Sequence, residues 1–221
     1  MTSSSVGEGS SAAGATAAAA GVIVSTSGSG AGAATLGAKA KAAVPAGLLD
    51  RAPSQSAADD LKIAAFAASL EVVAVAAYQK VADAAASGAL GAVPPAGGEY
   101  VMTAIAQHTA QLQKWNDVLT GAGQPAVTTG DATLQGVVDQ RVPGVTDFAL
   151  AAMLAHDLEV IAAATYQSAI PKLSGMDAIQ LAGSIQIIDA QHVAILNYVL
   201  GQYPVPDTFA KVDKAATPPA S

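Results

Sequence analysis

The feature that most constrains this chain is that it contains part of itself twice. Residues 70–79 read LEVVAVAAYQ and residues 158–167 read LEVIAAATYQ, identical at seven of ten positions. A second motif, QHTAQL at 107–112, returns as QHVAIL at 191–196. The motifs alternate in order, so the repeating unit is a pair of segments, and folding should relate the two pairs by a pseudo-two-fold axis. The segments are rich in alanine, the best helix former. Hydrophobic residues make up 52% of the chain but aromatics only 4%, so a core here must be built from small and aliphatic side chains.

The boundaries can be placed from caps and breakers. A first helix is predicted over 57–86, with Ser56 and Asp59 at capping-box spacing and Gly88 at its end. A second follows Pro94 and Pro95, runs over 99–120 and stops at Gly121. Residues 122–144 carry Gly, Pro, Thr and Asp and read as a long connection. A third helix starts after Pro143 with Thr146 as N-cap and ends before Pro171. A fourth is capped by Ser174, with Asp177 three residues on, and ends at Gly201. Short links make two antiparallel hairpins. The long link between the second and third helices is able to run the length of a bundle. The expected fold is therefore all-α, a four-helix bundle over 57–204 with one long crossover.

Residues 1–56 are Ser/Gly/Ala-rich and too poor in large apolar side chains to offset the entropy of ordering. Within them, 11–26 resembles the apolar part of a secretion signal and Ala-Lys-Ala at 38–40 a cleavage site, although Glu8 stands where a basic residue belongs. A signal there would mean export; a plain tail would leave the protein in the cytoplasm. Residues 205–221 read as a C-terminal tail.

Composition excludes several classes of function. A formal charge of −7 and a pI of about 4.7 suit a phosphate backbone poorly, which argues against nucleic acid. With no cysteine, disulfides, thiolate metal sites and thiol nucleophiles are absent. No long apolar run free of charge suggests a membrane span within the helices. No phosphate-binding loop on a strand–helix junction and no Ser/His/Asp triad is legible; Gly-Ser-Gly-Ala-Gly at 28–32 is low complexity.

What remains is a small set of polar residues in apolar surroundings. The chain has four glutamates, and two of them, Glu71 and Glu159, occupy matched places in the repeat. The neighbours of Glu71 three and four residues away are Ala67, Ala68, Ala74 and Val75; those of Glu159 are Ala155, His156, Ala162 and Ala163. Each carboxylate thus points along an apolar stripe, where it needs compensation. A divalent cation provides it. Tyr78 and Tyr166 stand seven residues on, on the same faces, where a phenol can hydrogen-bond a metal-bound carboxylate. His192 follows Asp189 by three residues, an Asp-x-x-His form of the Glu-x-x-His unit that places two ligands on one helix face. His108 is its counterpart in the second helix.

On these residues (Glu71 with Tyr78, His108, Glu159 with Tyr166, Asp189 with His192) the chain resembles the ferritin-like superfamily, in particular the bacterial and plant group that includes desiccation-related proteins. The resemblance covers 57–204. It implies a four-helix bundle around a carboxylate-bridged iron or manganese centre, with metal oxidation, metal storage, or peroxide or oxygen chemistry as related activities. By the same resemblance a bridging glutamate should lie three residues before His108. Ile105 stands there, and its counterpart, Asp189, is one methylene short of glutamate. Three carboxylates leave two divalent ions with one uncompensated positive charge, so one ion is expected rather than two. Hard oxygen ligands favour iron or manganese over zinc. His156, one turn before Glu159, is a weaker candidate ligand, with Ala68 at the matching place. The expected function is a metal-binding protein with a degenerate site, in an oxidative, metal-handling or stress role. The alternative is a structural or protective bundle without a working centre. Ile105 argues against a carbon-oxidising oxygenase.

Overall fold

The computed structural model describes residues 56–218. Among these there are five α-helices and no strand: α1 (Ala57–Ala86), α2 (Pro95–Gly121), α3 (Ala132–Arg141), α4 (Phe148–Ala169) and α5 (Met176–Val199). The signal-like stretch and the cleavage-like triplet lie outside the described residues.

Side-chain contacts fix the relative directions of α1, α2 and α4. Glu71 of α1 meets His108 of α2, and Tyr78 of α1 meets Tyr100 of α2, so these helices are antiparallel. Tyr78 reaches Glu159 of α4 while Glu71 receives Tyr166, so α1 and α4 are antiparallel too. It follows that α2 and α4 run in the same direction. The chain must return the length of the bundle between them, which is the crossover expected from sequence.

The crossover is not the plain loop that its composition suggested. Asp131 caps α3 by accepting the Leu134 N–H at 2.8 Å, and Val138 is fully buried against Val73, Leu154 and Leu158. The segment is pinned to α1 where the Asp131 N–H donates to the Ser69 carbonyl. A Cβ on Gly130 would come within 2.6 Å of Val73 Cγ2, so this close approach needs glycine. Gly130→Ala should therefore lower stability by about 1–3 kcal/mol, because Val73 is stiff and packed. Gly136→Ala, inside α3 with open space around it, should raise stability by roughly 0.5–1 kcal/mol. Denaturant unfolding of the two variants checks this opposite pair.

The ends of the helices depart from the reading in detail. The capping box of Ser56 and Asp59 is present. The second helix begins at Pro95, because Pro94 and Pro95 sit at positions where a missing N–H costs nothing. Asp147 caps α4 in place of Thr146; the two are adjacent, and the carboxylate accepts the Leu150 N–H at 2.9 Å. The cap residue of α5 is Gly175 and not Ser174. Asp60, from the first turn of α1, takes the Ser174 and Gly175 N–H groups and the Ser174 hydroxyl, tying the start of α5 to the start of α1.

Two stretches, Ala57–Ala86 and Phe148–Lys172, are long and apolar enough to cross a membrane by length and mean hydropathy, 1.7 and 1.5, although neither is free of charged residues. Isolated charges do not lower such averages far. Here both helices turn buried faces inward, each face carrying a glutamate. The tail after α5 lies back on the bundle: Ala216 N–H donates to Thr165 Oγ1 at 2.8 Å.

Candidate metal centre

Each long helix contributes to one buried polar cluster midway along the bundle. Glu71 comes from α1, His108 from α2, Glu159 from α4, and Asp189 and His192 from α5; all five are buried. One ligand atom from each of His108, Glu159, Asp189 and His192 lies within 4.8 Å of all the others.

Glu71 stands directly behind this group of four. Its Oε2 is 2.8 Å from His108 Nδ1, and its Oε1 accepts the Tyr166 hydroxyl, whose oxygen in turn accepts Trp115 Nε1–H at 2.8 Å. The opposite imidazole nitrogen, His108 Nε2, is 3.1 Å from Glu159 Oε1. Glu159 Oε1 also accepts the Tyr78 hydroxyl at 2.5 Å and is 3.1 Å from His192 Nδ1. That last contact is within ion-pairing distance but is not aligned as a hydrogen bond. His192 is oriented through its other nitrogen, Nε2, 2.7 Å from Gln107 Oε1. The tyrosines therefore cross over. Each serves the glutamate of the other copy, because along its own helix that glutamate is about 10 Å away.

The remaining atoms are less well provided for. Glu159 Oε2, both Asp189 oxygens and His192 Nδ1 are buried without a hydrogen-bond partner, as is Gln111 Oε1. Buried unpartnered carboxylate oxygens are costly, and the helices hold these against an imidazole nitrogen. This donor set, carboxylate oxygens and imidazoles converging on one point, is what a divalent transition metal requires. The residues present thus fit a metal ion.

Protonation follows the same division. Burial alone would drive the proton off His108, but the Glu159 charge and the hydrogen bonds to Glu159 and Glu71 overcome it and hold the imidazolium well above its ordinary range. Burial would raise Glu159; the charge and hydrogen bond of His108, with help from His192, bring it down to about 2. Asp189 has no such partner. Burial, followed by the charges of Glu159 and Glu71, pushes its carboxyl well up. Burial likewise keeps Tyr78 and Tyr166 protonated, as hydrogen-bond donors.

Residues 59–202 match the family model of the ferritin-like domain. The chain belongs to the ferritin-like domain family. No curated protein and no solved structure matches it. Within this ferritin-like bundle, Ile105 sits half-buried in an apolar cluster with Tyr78 and Leu196, and it offers nothing to an ion. His156 is outside the centre; its Nδ1 lies 3.5 Å from Asp157 Oδ1, on the side where the tail packs. Four further residues around the centre are not marked as candidates by residue type in the sequence. These are Tyr100, whose hydroxyl meets that of Tyr78, together with Gln107, Gln111 and Trp115. All four lie on α2: Tyr100, Gln111 and Trp115 are at or near helical spacing from His108, and Gln107 precedes it in the repeated Gln-His pair.

Proposed function

We propose that the ferritin-like bundle is a metal-handling protein that holds one divalent ion, iron or manganese, on Glu159, Asp189, His192 and His108. The observation that carries this reading is Asp189: its two oxygens are buried without a partner, in a cluster whose other members can all ligate. Glu71 orients His108 through Nδ1, so that Nε2 faces the ion, in the way a carboxylate sets the tautomer of a metal-bound imidazole. Tyr78 steadies Glu159 and Gln107 steadies His192. An ion in this place would supply one-electron redox chemistry towards oxygen or peroxide, which is the basis for an oxidative or stress-related role. A second ion would need a bridging carboxylate where Ile105 stands.

Titrating metal-free protein with manganese(II) or iron(II) tests the reading. About one equivalent should bind in the parent, rising towards two in Ile105→Glu. Two tight equivalents in the parent would contradict the single-ion reading. No binding in either protein would leave the bundle with a structural role.

A further inference from the structure

Because the chain is duplicated, the two ends of the bundle should be alike, and they are not. Trp115 lies seven residues after His108; the residue seven after His192 is Val199. At one end Trp115 is fully buried, packs with Leu119, Leu173 and Ile185, and holds the Tyr166 hydroxyl. At the other end Val199 is 43% exposed and leaves the equivalent space open. Several wall positions there are small (Ala82 and Ala85 of α1, Gly97 of α2 and Ala151 of α4), among larger apolar residues such as Leu90, Phe148 and Leu196. Between the four helix ends lies a cavity of about 830 Å³. No Asp, Glu, Lys, Arg or His lines it. Its volume and apolar walls are those of a small-molecule site rather than a packing defect.

One wall residue connects the cavity to the centre. Tyr100 lines it and packs edge-on to the His192 ring, with centroids 5.5 Å apart. Its hydroxyl is 2.8 Å from that of Tyr78. Tyr78 has one proton and gives it to Glu159, so Tyr78 accepts from Tyr100. The Tyr100 oxygen is then left with lone pairs only. A molecule in the cavity meets it best with a hydrogen-bond donor.

We infer that this cavity is a binding site for a neutral, largely hydrocarbon molecule carrying one hydroxyl group, which docks on the Tyr100 oxygen. The walls carry no charge and, apart from Tyr100 and the largely exposed Tyr198, no polar side chain, which disfavours carboxylates and ammonium groups. Through Tyr100, Tyr78 and Glu159 the site abuts the metal centre, and it names the class of molecule brought there. That last clause rests on the metal reading; the binding itself does not.

The test is fluorescence titration of the full chain with phenylnaphthylamine, a neutral probe, followed by displacement with decanol and with decyl methyl ether, which cannot donate. About one equivalent of probe should bind, and decanol should displace it roughly 5–10-fold better than the ether. In Tyr100→Phe the two competitors should become equal. Val199→Trp restores the counterpart of Trp115 and should abolish probe binding, as should Ala85→Phe from another wall. Manganese binding by the parent and by these two variants is measured in parallel: if the parent binds the probe but no manganese, the metal reading fails and the cavity stands. Probe binding that survives both filling variants would place the site elsewhere and overturn the inference. Absence of probe binding in the parent would overturn it too, the cavity then being covered by a second copy if the protein is a dimer, or by its own chain if it is a monomer.

Discussion

Asp189→Asn is expected to make the metal-free protein more stable and to deprive it of its metal. The carboxyl is 0% exposed with both oxygens unpartnered, so its charge is penalised by burial and by the nearby Glu159 and Glu71. An amide of the same shape carries no charge to be penalised and can donate to the neighbouring carboxylates, a gain of about 1–3 kcal/mol. The gain depends on pH, and its sign is fixed. The folded-state pKa of Asp189 is raised, so folding costs nothing from this group below its ordinary value of 3.8, and stability is lost as pH rises through the raised value. His108 acts in the same sense, its contribution being present below 6.5 and lost as pH rises through its own raised value. Glu159 acts oppositely, stabilising above 4.5 and losing that as pH falls towards about 2. Metal-free parent should therefore be most stable under mildly acidic conditions, and Asp189→Asn should flatten the alkaline side. Metal affinity should fall more than about 100-fold, since even outer-shell changes cost 10–100-fold. Denaturant unfolding across pH, with and without manganese(II), reads both effects. A variant destabilised at neutral pH without metal would mean that Asp189 has a partner after all.

The second large effect concerns Trp115. Trp115→Ala should cost about 3–5 kcal/mol, as expected for emptying a fully buried aromatic site. Trp115→Phe keeps most of the apolar contact and isolates the indole N–H. Without that donor the Tyr166 hydroxyl loses one of two restraints, and through it Glu71 and then His108 Nδ1 are less firmly placed. The phenylalanine variant should fold, with metal affinity lowered about 10-fold. Chemical denaturation and metal titration of the pair separate the packing role from the orienting role. Unchanged affinity in Trp115→Phe would confine Trp115 to packing.

The long helices and their pairing were legible because duplication states the pairing twice, and because Pro and Gly bracket each helix. The short α3 was not. It buries one residue fully, Val138, so it leaves almost no periodic trace, and its cap Asp131 sits among turn-forming neighbours. Neighbouring cap candidates such as Thr146 and Asp147 cannot be ranked without knowing which backbone N–H each oxygen reaches. Within the centre, Glu71, His108, Glu159, Asp189 and His192 stood out as rare polar residues on alanine stripes. Which glutamate each tyrosine serves was hidden, because it depends on the antiparallel pairing of α1 with α4. Tyr100, Gln107 and Trp115 were hidden for the same reason: their partners belong to other helices. The cavity follows from the difference between Trp115 and Val199, and that difference matters only once the two bundle ends are seen.

The central claim, that the buried cluster takes up one divalent ion, has a consequence in protons. Without metal His108 and Asp189 both titrate well above their ordinary ranges, the first because Glu159 and Glu71 flank it and the second through burial, so both favour their protonated forms. An ion bound by His108 Nε2 and an Asp189 oxygen displaces protons from these groups, so positive charge leaves as the ion's charge enters. Calorimetric titration of metal-free protein with manganese(II) near neutral pH, repeated in buffers of different ionisation enthalpy, reads the ions bound and the protons released together. One ion taken up with release of protons is the predicted result; no uptake, or two ions bound with equal affinity, would contradict it.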